Sequence, residues 1–219
     1  MTRCGPFAMR AAMADATIIE DADRAAVADW LEHRLSSALS QTGGPVAVSV
    51  PGGSTPFPIM EELAQRDLDF ARLEVWPGDD RVVPEDHSAS NTGKVRQLFE
   101  PLGAQVVALS EAKLPPHFAL CWLGMGADGH IASLFPNTDP QVDDLKMLRR
   151  LTPDPLPPEA PFDRITLTIP ALLASDAILF TLGGSSEKRA VFDAALGGEH
   201  DLPIARLLGA STQPVTVFA

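Results

Sequence analysis

A single histidine inside a glycine-rich loop has the setting that most favours catalysis in this sequence. Residues 124–130 read Gly-Met-Gly-Ala-Asp-Gly-His and directly follow the apolar run 118–123. The glycines keep other side chains away from the imidazole of His130, which can act as a general base near neutral pH. The carboxylate of Asp128 is close enough in sequence to orient that imidazole. The alternative interpretation is an ordinary loop histidine with satisfied hydrogen bonds.

A second glycine-containing turn has the composition of an anion-binding loop. Residues 52–55 read Gly-Gly-Ser-Thr and lie between the apolar run 46–50 and Pro56, a residue type favoured in the first turn of a helix. Backbone N–H groups of the glycines can approach an anion closely, the two hydroxyls add donors, and a helix start adds partial positive charge. The loop lacks the Gly-Lys-Ser/Thr ending of a nucleotide P-loop. A hydroxyl-capped glycine turn is an equally good interpretation from local physics.

Two further turns follow apolar runs and carry charged residues. Residues 78–81 place the adjacent carboxylates of Asp79 and Asp80 beside an arginine, which could position a proton acceptor and an anion ligand. On spacing alone, a solvated charged turn is the simpler interpretation. Residues 183–188 place Lys188 in the first turn of a predicted helix, where a cation is unfavourable unless an anion lies nearby. A lysine that extends into solvent is the alternative there.

The elements that must position these four turns alternate between strand and helix. Helices are predicted from an Asp21 or Asp23 cap to about 39, from 56 to about 66, at 91–99, at 186–196 and from 203. Strands are predicted at 46–50, 73–76, 106–108, 118–123, 165–169, 177–182 and 215–218. Continuous apolar strands alternating with helices indicate a three-layer, mostly parallel, Rossmann-like α/β sheet with helices on both faces. Such sheets bind ligands at the carboxyl ends of their strands, where all four turns lie.

The domain organisation follows from length and composition. The chain of 219 residues is predicted to form a single α/β domain over residues 17–219, preceded by a disordered N-terminal segment over residues 1–16. The proline-rich stretch 141–163 is predicted to be a long functional or mobile loop. The chain has two cysteines, Cys4 and Cys121, which are too few for a disulfide framework or a cysteine zinc site. The apolar residues around Cys121 in the sequence predict that it is a small core residue.

Charge restricts the partners of the protein. The 29 acidic and 17 basic residues leave a net charge of -12, which argues against nucleic acid and against an anionic membrane surface. An anionic small substrate stays possible, because a helix N-terminus and a few cations can outweigh distant charge. No apolar run approaches the ~18 residues of a membrane span. We therefore expect a cytoplasmic protein, a monomer or weak homodimer, that binds a small molecule and no metal or cofactor.

Five segments of the sequence match, in order, the pattern of one known family. They are residues 123–136, which are the most specific, 52–56, 79–84 with the following Ser90-Asn91, 164–168, and Gly184 with Lys188. Through them the chain resembles the 6-phosphogluconolactonase family, within the wider sugar-phosphate isomerase and deaminase superfamily. The resemblance implies a carboxylic ester hydrolase that converts 6-phospho-D-glucono-1,5-lactone to 6-phospho-D-gluconate in the oxidative pentose phosphate pathway.

The resemblance also implies a role for each candidate residue. His130 would take a proton from the water that attacks the lactone carbonyl, while Asp128 and Asp79 would position the imidazole and the water. No metal or cofactor is implied, because the ester is already activated. The substrate phosphate would be bound by Gly52, Gly53, Ser54, Thr55 and Lys188, and Arg81 would share that task or contact sugar hydroxyls.

Departures from the family pattern leave two alternative functions open. Asp80 stands where the family usually has glutamate, Thr92 where it has tyrosine, and Ile131 where it has threonine. Isoleucine at that position is typical of the related glucosamine-6-phosphate deaminases, which would use Asp79 to move a carbon-bound proton. The other alternative is a non-catalytic sugar-phosphate-binding module, against which the net charge and the absence of a helix-turn-helix pattern count.

Overall fold

The computed structural model describes residues 16–158 and 160–219. The predicted disordered segment 1–16 lies outside the described residues except for Ala16, which begins the first strand. The strands are β1 (Ala16–Ile19), β2 (Val46–Val50), β3 (Leu73–Pro77), β4 (Asp79–Arg81), β5 (Gln105–Val106), β6 (Leu120–Leu123), β7 (Leu148–Leu151), β8 (Arg164–Leu167), β9 (Ile178–Thr181) and β10 (Val215–Phe218). The helices are α1 (Arg24–Gln41), α2 (Pro56–Leu63), α3 (Asn91–Phe99), α4 (Ile169–Leu173), α5 (Ser186–Leu196) and α6 (Pro203–Ala210).

Seven parallel strands form the central sheet, in the order β1-β10-β9-β6-β2-β3-β5. This confirms the predicted parallel α/β sheet. Its central strands β6 and β9 are buried along their whole length and mostly apolar, as expected where helices cover both faces of a sheet. Along β6, Leu120 and Trp122 pack with α1, α2 and α3, whereas Cys121 and Leu123 pack on the side of α4, α5 and α6. Strand β1, which extends the sheet at its edge beside β10, was not predicted from the sequence.

The order of the strands reverses direction between β6 and β2. From β2 the chain continues to β3 and β5 on one side, and from β6 it continues to β9 and β10 on the other. Loops that leave neighbouring strands toward opposite sides leave a crevice at the carboxyl ends of those strands. The turns after β2 and β6 are the two glycine-rich turns singled out from the sequence.

A second sheet, β4-β8-β7, is small and antiparallel. The predicted turn at 78–81 and the predicted loop over 141–163 are wrong where they include β4 and β7, because these short strands are rich in charged residues and carry little apolar pattern. The predicted strand 165–169 is correct over β8, but Ile169 begins α4 instead. The backbone N–H of Leu167 donates to the carbonyl of Gly78 at 2.9 Å, which joins the small sheet to the end of β3.

Five of the six helices in the described part of the chain, all except α4, begin close to their predicted first residues. Asp23, one of the two predicted caps, accepts the backbone N–H of Ala26 at 2.8 Å and begins α1. Pro56 begins α2, which ends three residues before the predicted bound, and α3 and α5 occupy their predicted ranges. In the described part of the chain, no helix combines the length and the apolar character needed to cross a membrane.

Cys121 confirms the predicted core position and provides a test of the packing around β6. The side chain is fully buried, and burial raises the pKa of its thiol to about 12, so the reactive thiolate is scarce at lower pH. We predict that a Cys4→Ser variant resists iodoacetamide at mildly alkaline pH and takes up one equivalent after denaturation. Mass spectrometry measures the uptake, and rapid labelling of the native variant would contradict a closed core at β6.

Candidate active site

The four predicted turns meet where β9, β6, β2 and β3 end side by side. A cleft of about 440 Å³ opens there, which is within the ~300–1,000 Å³ typical of small-molecule sites. It is lined by residues 51–56, Asp79, residues 124–126, His130, Ala132, Thr181 and Lys188. Seven of the nine predicted site residues therefore lie on one cleft, and the other two, Asp128 and Arg81, are not among the residues that line it.

The imidazole of His130 is held by the carboxylate of Asp128. Its Nδ1 lies 2.6 Å from Asp128 Oδ1, and the backbone N–H of His130 donates to the same oxygen at 3.2 Å. The hydrogen bond from His130 is the main cause that lowers the pKa of Asp128, against the opposing effect of burial. A hydrogen bond to an ionised carboxylate places a proton on Nδ1, and in the neutral imidazole Nε2 then presents its lone pair. Among the described residues, Nε2 has no hydrogen-bond partner.

The glycines beside His130 are needed for close approach. A Cβ at Gly126 would lie 2.2 Å from His130 Nδ1, so the loop can fold back on the imidazole only with glycine at this position. Gly129 has φ of +77°, in the left-handed region that favours glycine. The ring of His130 also packs against Phe135, with centroids 4.9 Å apart. The side chain stays 33% exposed, so it can reach solvent or a substrate.

Asp79 is a buried carboxylate on the wall of the cleft. The residue is 8% exposed, Ser133 Oγ donates to its Oδ2, and the amide of Asn91 lies 3.5 Å from its Oδ1. Burial raises the pKa of Asp79, and this effect exceeds the opposing effects of the Ser133 hydrogen bond and the Arg81 cation. Asp79 therefore holds a proton at a higher pH than an exposed aspartate does.

Asp80 and Arg81 have structural partners outside the cleft. Side chains alternate along a strand, so Asp80 points away from Asp79 and caps α3, accepting the backbone N–H groups of Asn91 at 2.6 Å and Thr92 at 2.9 Å. The guanidinium of Arg81 donates to the carbonyl of Ala89 at 2.9 Å and to Asn91 Oδ1 at 3.3 Å. Arg81 does not line the cleft, so its role in phosphate binding stays a prediction.

The turn after β2 and Lys188 bring to the cleft hydrogen-bond donors that have no acceptor among the described residues. Gly53 has φ of +103°, and the backbone N–H groups of residues 53–55 donate to no backbone carbonyl within the described ranges. Thr55 precedes α2 without a side-chain capping bond. The ammonium group of Lys188 has no carboxylate within 4.0 Å in the part of the chain that the structure describes. These groups together can bind a compact anion.

Residues beyond the predicted set complete the site. Ser133 and Asn91 hold Asp79, and both lie in segments of the quoted family pattern, which was the available signal for them. Thr181 lines the cleft and accepts a hydrogen bond from Trp122 Nε1 at 3.1 Å, and the sequence carries no signal for this position. Within residues 16–158 and 160–219, no group of three or more His, Cys, Asp or Glu side chains could hold a metal ion.

Known proteins resemble this chain along most of its length. The family model described as "Glucosamine-6-phosphate isomerases/6-phosphogluconolactonase" matches residues 20–114 and 100–217. The 6-phosphogluconolactonase of Pseudomonas aeruginosa is 36% identical over 208 residues, which cover 84% of each chain, and that of Pseudomonas putida is 36% identical over 217 residues, 86% of this chain and 88% of the other. The crystal structure of a 6-phosphogluconolactonase from Shewanella baltica superposes with a TM-score of 0.78 at 26% identity, covering 94% of this chain and 99% of that chain.

Because Gly52 lies against Asn91, we predict that adding one methyl group at Gly52 destabilises the protein. A Cβ at Gly52 would lie 2.3 Å from Asn91 Nδ2, so Gly52→Ala should lower the free energy of unfolding by about 1–3 kcal/mol through overpacking. The matched control is Gly209→Ala in α6, where no atom lies within 4 Å of the added Cβ and stability should stay unchanged or rise by up to ~1 kcal/mol. Chemical denaturation measures both, and equal stability of the two variants would contradict this packing.

Proposed function

Because the chain belongs to the glucosamine-6-phosphate isomerase/6-phosphogluconolactonase family, we propose that it hydrolyses 6-phospho-D-glucono-1,5-lactone to 6-phospho-D-gluconate. The observation that carries this proposal is that one cleft is lined both by backbone N–H groups of residues 53–55, which have no acceptor among the described residues, and by an imidazole oriented by a carboxylate. The protein is then a carboxylic ester hydrolase of the oxidative pentose phosphate pathway. A cytoplasmic location is part of the same proposal.

The phosphate group is the part of the substrate that the turn after β2 binds. Backbone N–H groups of residues 52–55, the hydroxyls of Ser54 and Thr55, and the ammonium of Lys188 supply the donors. Hydrogen bonds to a charged group are each worth about 1.5–3 kcal/mol. The net charge of -12 does not oppose this binding strongly, because exposed charges beyond the ~8 Å Debye length are screened. Anchoring the phosphate places the lactone ring near His130 and lowers the entropy lost at the barrier.

The imidazole of His130 carries out both proton transfers of the hydrolysis. Nε2 accepts a proton from water as the water oxygen bonds to the lactone carbonyl carbon, and Asp128 stabilises the imidazolium that forms. Backbone N–H groups of the glycine turns stabilise the resulting oxyanion. The tetrahedral intermediate then expels the ring oxygen, which takes the proton from Nε2, and the products are an acid and a free hydroxyl. Such acid–base catalysis typically contributes 10²–10⁴-fold.

Asp79 lines the same cleft as the phosphate-binding turn and His130, and it positions the groups that react. Its buried carboxyl, held by Ser133 and Asn91, can accept a hydrogen bond from the attacking water or from a sugar hydroxyl. This role places Asp79 in contact with the reacting groups, while Asp128 acts through the imidazole.

A coupled assay tests the proposed reaction directly. Glucose-6-phosphate dehydrogenase generates the lactone, and 6-phosphogluconate formation is followed above the rate of spontaneous ring opening. We expect clear acceleration by the wild-type protein and no release of ammonia from glucosamine 6-phosphate. Ammonia release without lactone hydrolysis would favour a deaminase, and tight binding of 6-phosphogluconate without turnover would favour a binding module.

His130 is tested against a matched histidine–aspartate pair outside the cleft. His130→Ala should lower lactonase turnover by at least ~10²-fold while circular dichroism stays native. His117 forms a similar pair with Asp176, with Nε2 and Oδ1 2.7 Å apart, and does not line the cleft, so His117→Ala should retain wild-type turnover. Undiminished turnover in the His130 variant would remove the proposed general base.

A further inference from the structure

One serine joins the loop that carries His130 to the strand that carries Asp79. Ser133 is 1% exposed, and its hydroxyl donates to Asp79 Oδ2. Its backbone N–H donates to Thr166 Oγ1 at 3.2 Å. Thr166 lies directly opposite Asp79 in the antiparallel pairing of β4 with β8. The side chain and the backbone of Ser133 are therefore both bonded to one position of the small sheet.

The backbone around Ser133 is shaped to make this contact. Ala132 has φ of +49°, a conformation that is uncommon for a residue other than glycine. The chain turns tightly here, and the N–H of Leu134 donates to the carbonyl of Ile131 at 2.9 Å. Ala132 lines the cleft while Ser133 points inward to Asp79. Unfavourable backbone conformations of this kind persist where the surrounding contacts over-determine them.

The hydroxyl of Ser133 is the closer of two donors to the Asp79 side chain. It binds one carboxylate oxygen, whereas the amide of Asn91 lies 3.5 Å from the other. Without Ser133, the carboxylate would depend on that longer contact to fix its rotation. The Ser133 hydroxyl therefore links the Asp79 carboxylate directly to the loop that carries His130.

We propose that Ser133 is a positioning residue, whose hydroxyl fixes the Asp79 carboxylate relative to His130 during lactone hydrolysis. The inference rests on the proposed function. Ser133 is buried behind the cleft and is not among its lining residues, so it acts on the substrate only through Asp79.

A double-mutant cycle distinguishes positioning from a general structural role. Ser133→Ala should lower kcat about 10-fold and change KM by less than about twofold, because the lost hydrogen bond orients a group rather than binding the phosphate. In an Asp79→Asn background, itself expected to be at least about 10-fold slower, the same substitution should change kcat by less than about twofold. A merely structural serine would cause the same loss in both backgrounds.

The control for losing a buried serine hydroxyl is Ser211→Ala. Ser211 is 5% exposed, its hydroxyl donates to the carbonyl of Leu208 at 2.9 Å, and it does not line the cleft, so kcat should stay at the wild-type value. If Ser133→Ala does not fold, Ser133→Cys replaces it in the cycle, since a thiol keeps a weak donor at the same position.

The outcomes separate the inference from the proposed function. An active wild type with undiminished kcat in Ser133→Ala or in Asp79→Asn overturns the role of Ser133 alone, as does an equal loss in both backgrounds. A wild type that does not accelerate lactone hydrolysis overturns the proposed function and this inference with it.

Discussion

The site depends on the reversal of strand order between β6 and β2. Parallel strands end at the same edge of a sheet, and at this reversal their following loops diverge instead of packing on one another. Apolar side chains pack against both faces of the sheet and fix the positions of the strands, so the two loops begin at fixed positions. The turn after β2 and the loop after β6 therefore face each other across an open cleft, one with free N–H donors and the other with an imidazole.

The first residues of α3 connect two parts of the cleft, the turn after β2 and strand β4. Asp80 caps the helix, and the adjacent Asn91 contacts Asp79, Arg81 and the backbone of Gly52. Gly52 belongs to the proposed phosphate loop, and Asp79 to the wall beside the proposed reacting carbon. Asn91, the first residue of α3, therefore connects the turn after β2 with Asp79. Ser133, buried behind the cleft, provides the corresponding connection between Asp79 and the His130 loop.

Elements with strong periodic patterns could be predicted from sequence, whereas elements made by long-range pairing could not. The apolar strands β2, β6 and β9 and the proline start of α2 were evident, so the four turns could be assigned to one edge of the sheet. By contrast, β4 reads Asp-Asp-Arg and becomes a strand only through its pairing with β8, more than eighty residues later in the chain. The proline-rich stretch around β7 hides a strand for the same reason.

In the candidate site too, contacts that are local in the sequence could be predicted and long-range contacts could not. Glycine spacing and a neighbouring carboxylate identify His130 and Asp128, because their interaction is local in the sequence. The contact between Ser133 and Asp79 joins residues 54 positions apart, and no local pattern reports it. The family resemblance implies that Arg81 contacts the phosphate or sugar hydroxyls, and this stays a prediction, because its guanidinium donates to Ala89 and Asn91 outside the cleft lining.

The preference for a phosphorylated lactone tests most directly whether the anion end of the cleft places the ester at His130. The measurement is kcat/KM for 6-phosphogluconolactone and for gluconolactone, in the wild type, in Lys188→Ala and in the exposed-lysine control Lys113→Ala. We expect the wild type and the control to favour the phosphorylated substrate by at least ~10²-fold, and Lys188→Ala to lose at least ~10-fold of that preference, the equivalent of one charged hydrogen bond. Equal kcat/KM for the two lactones in the wild type would contradict the account.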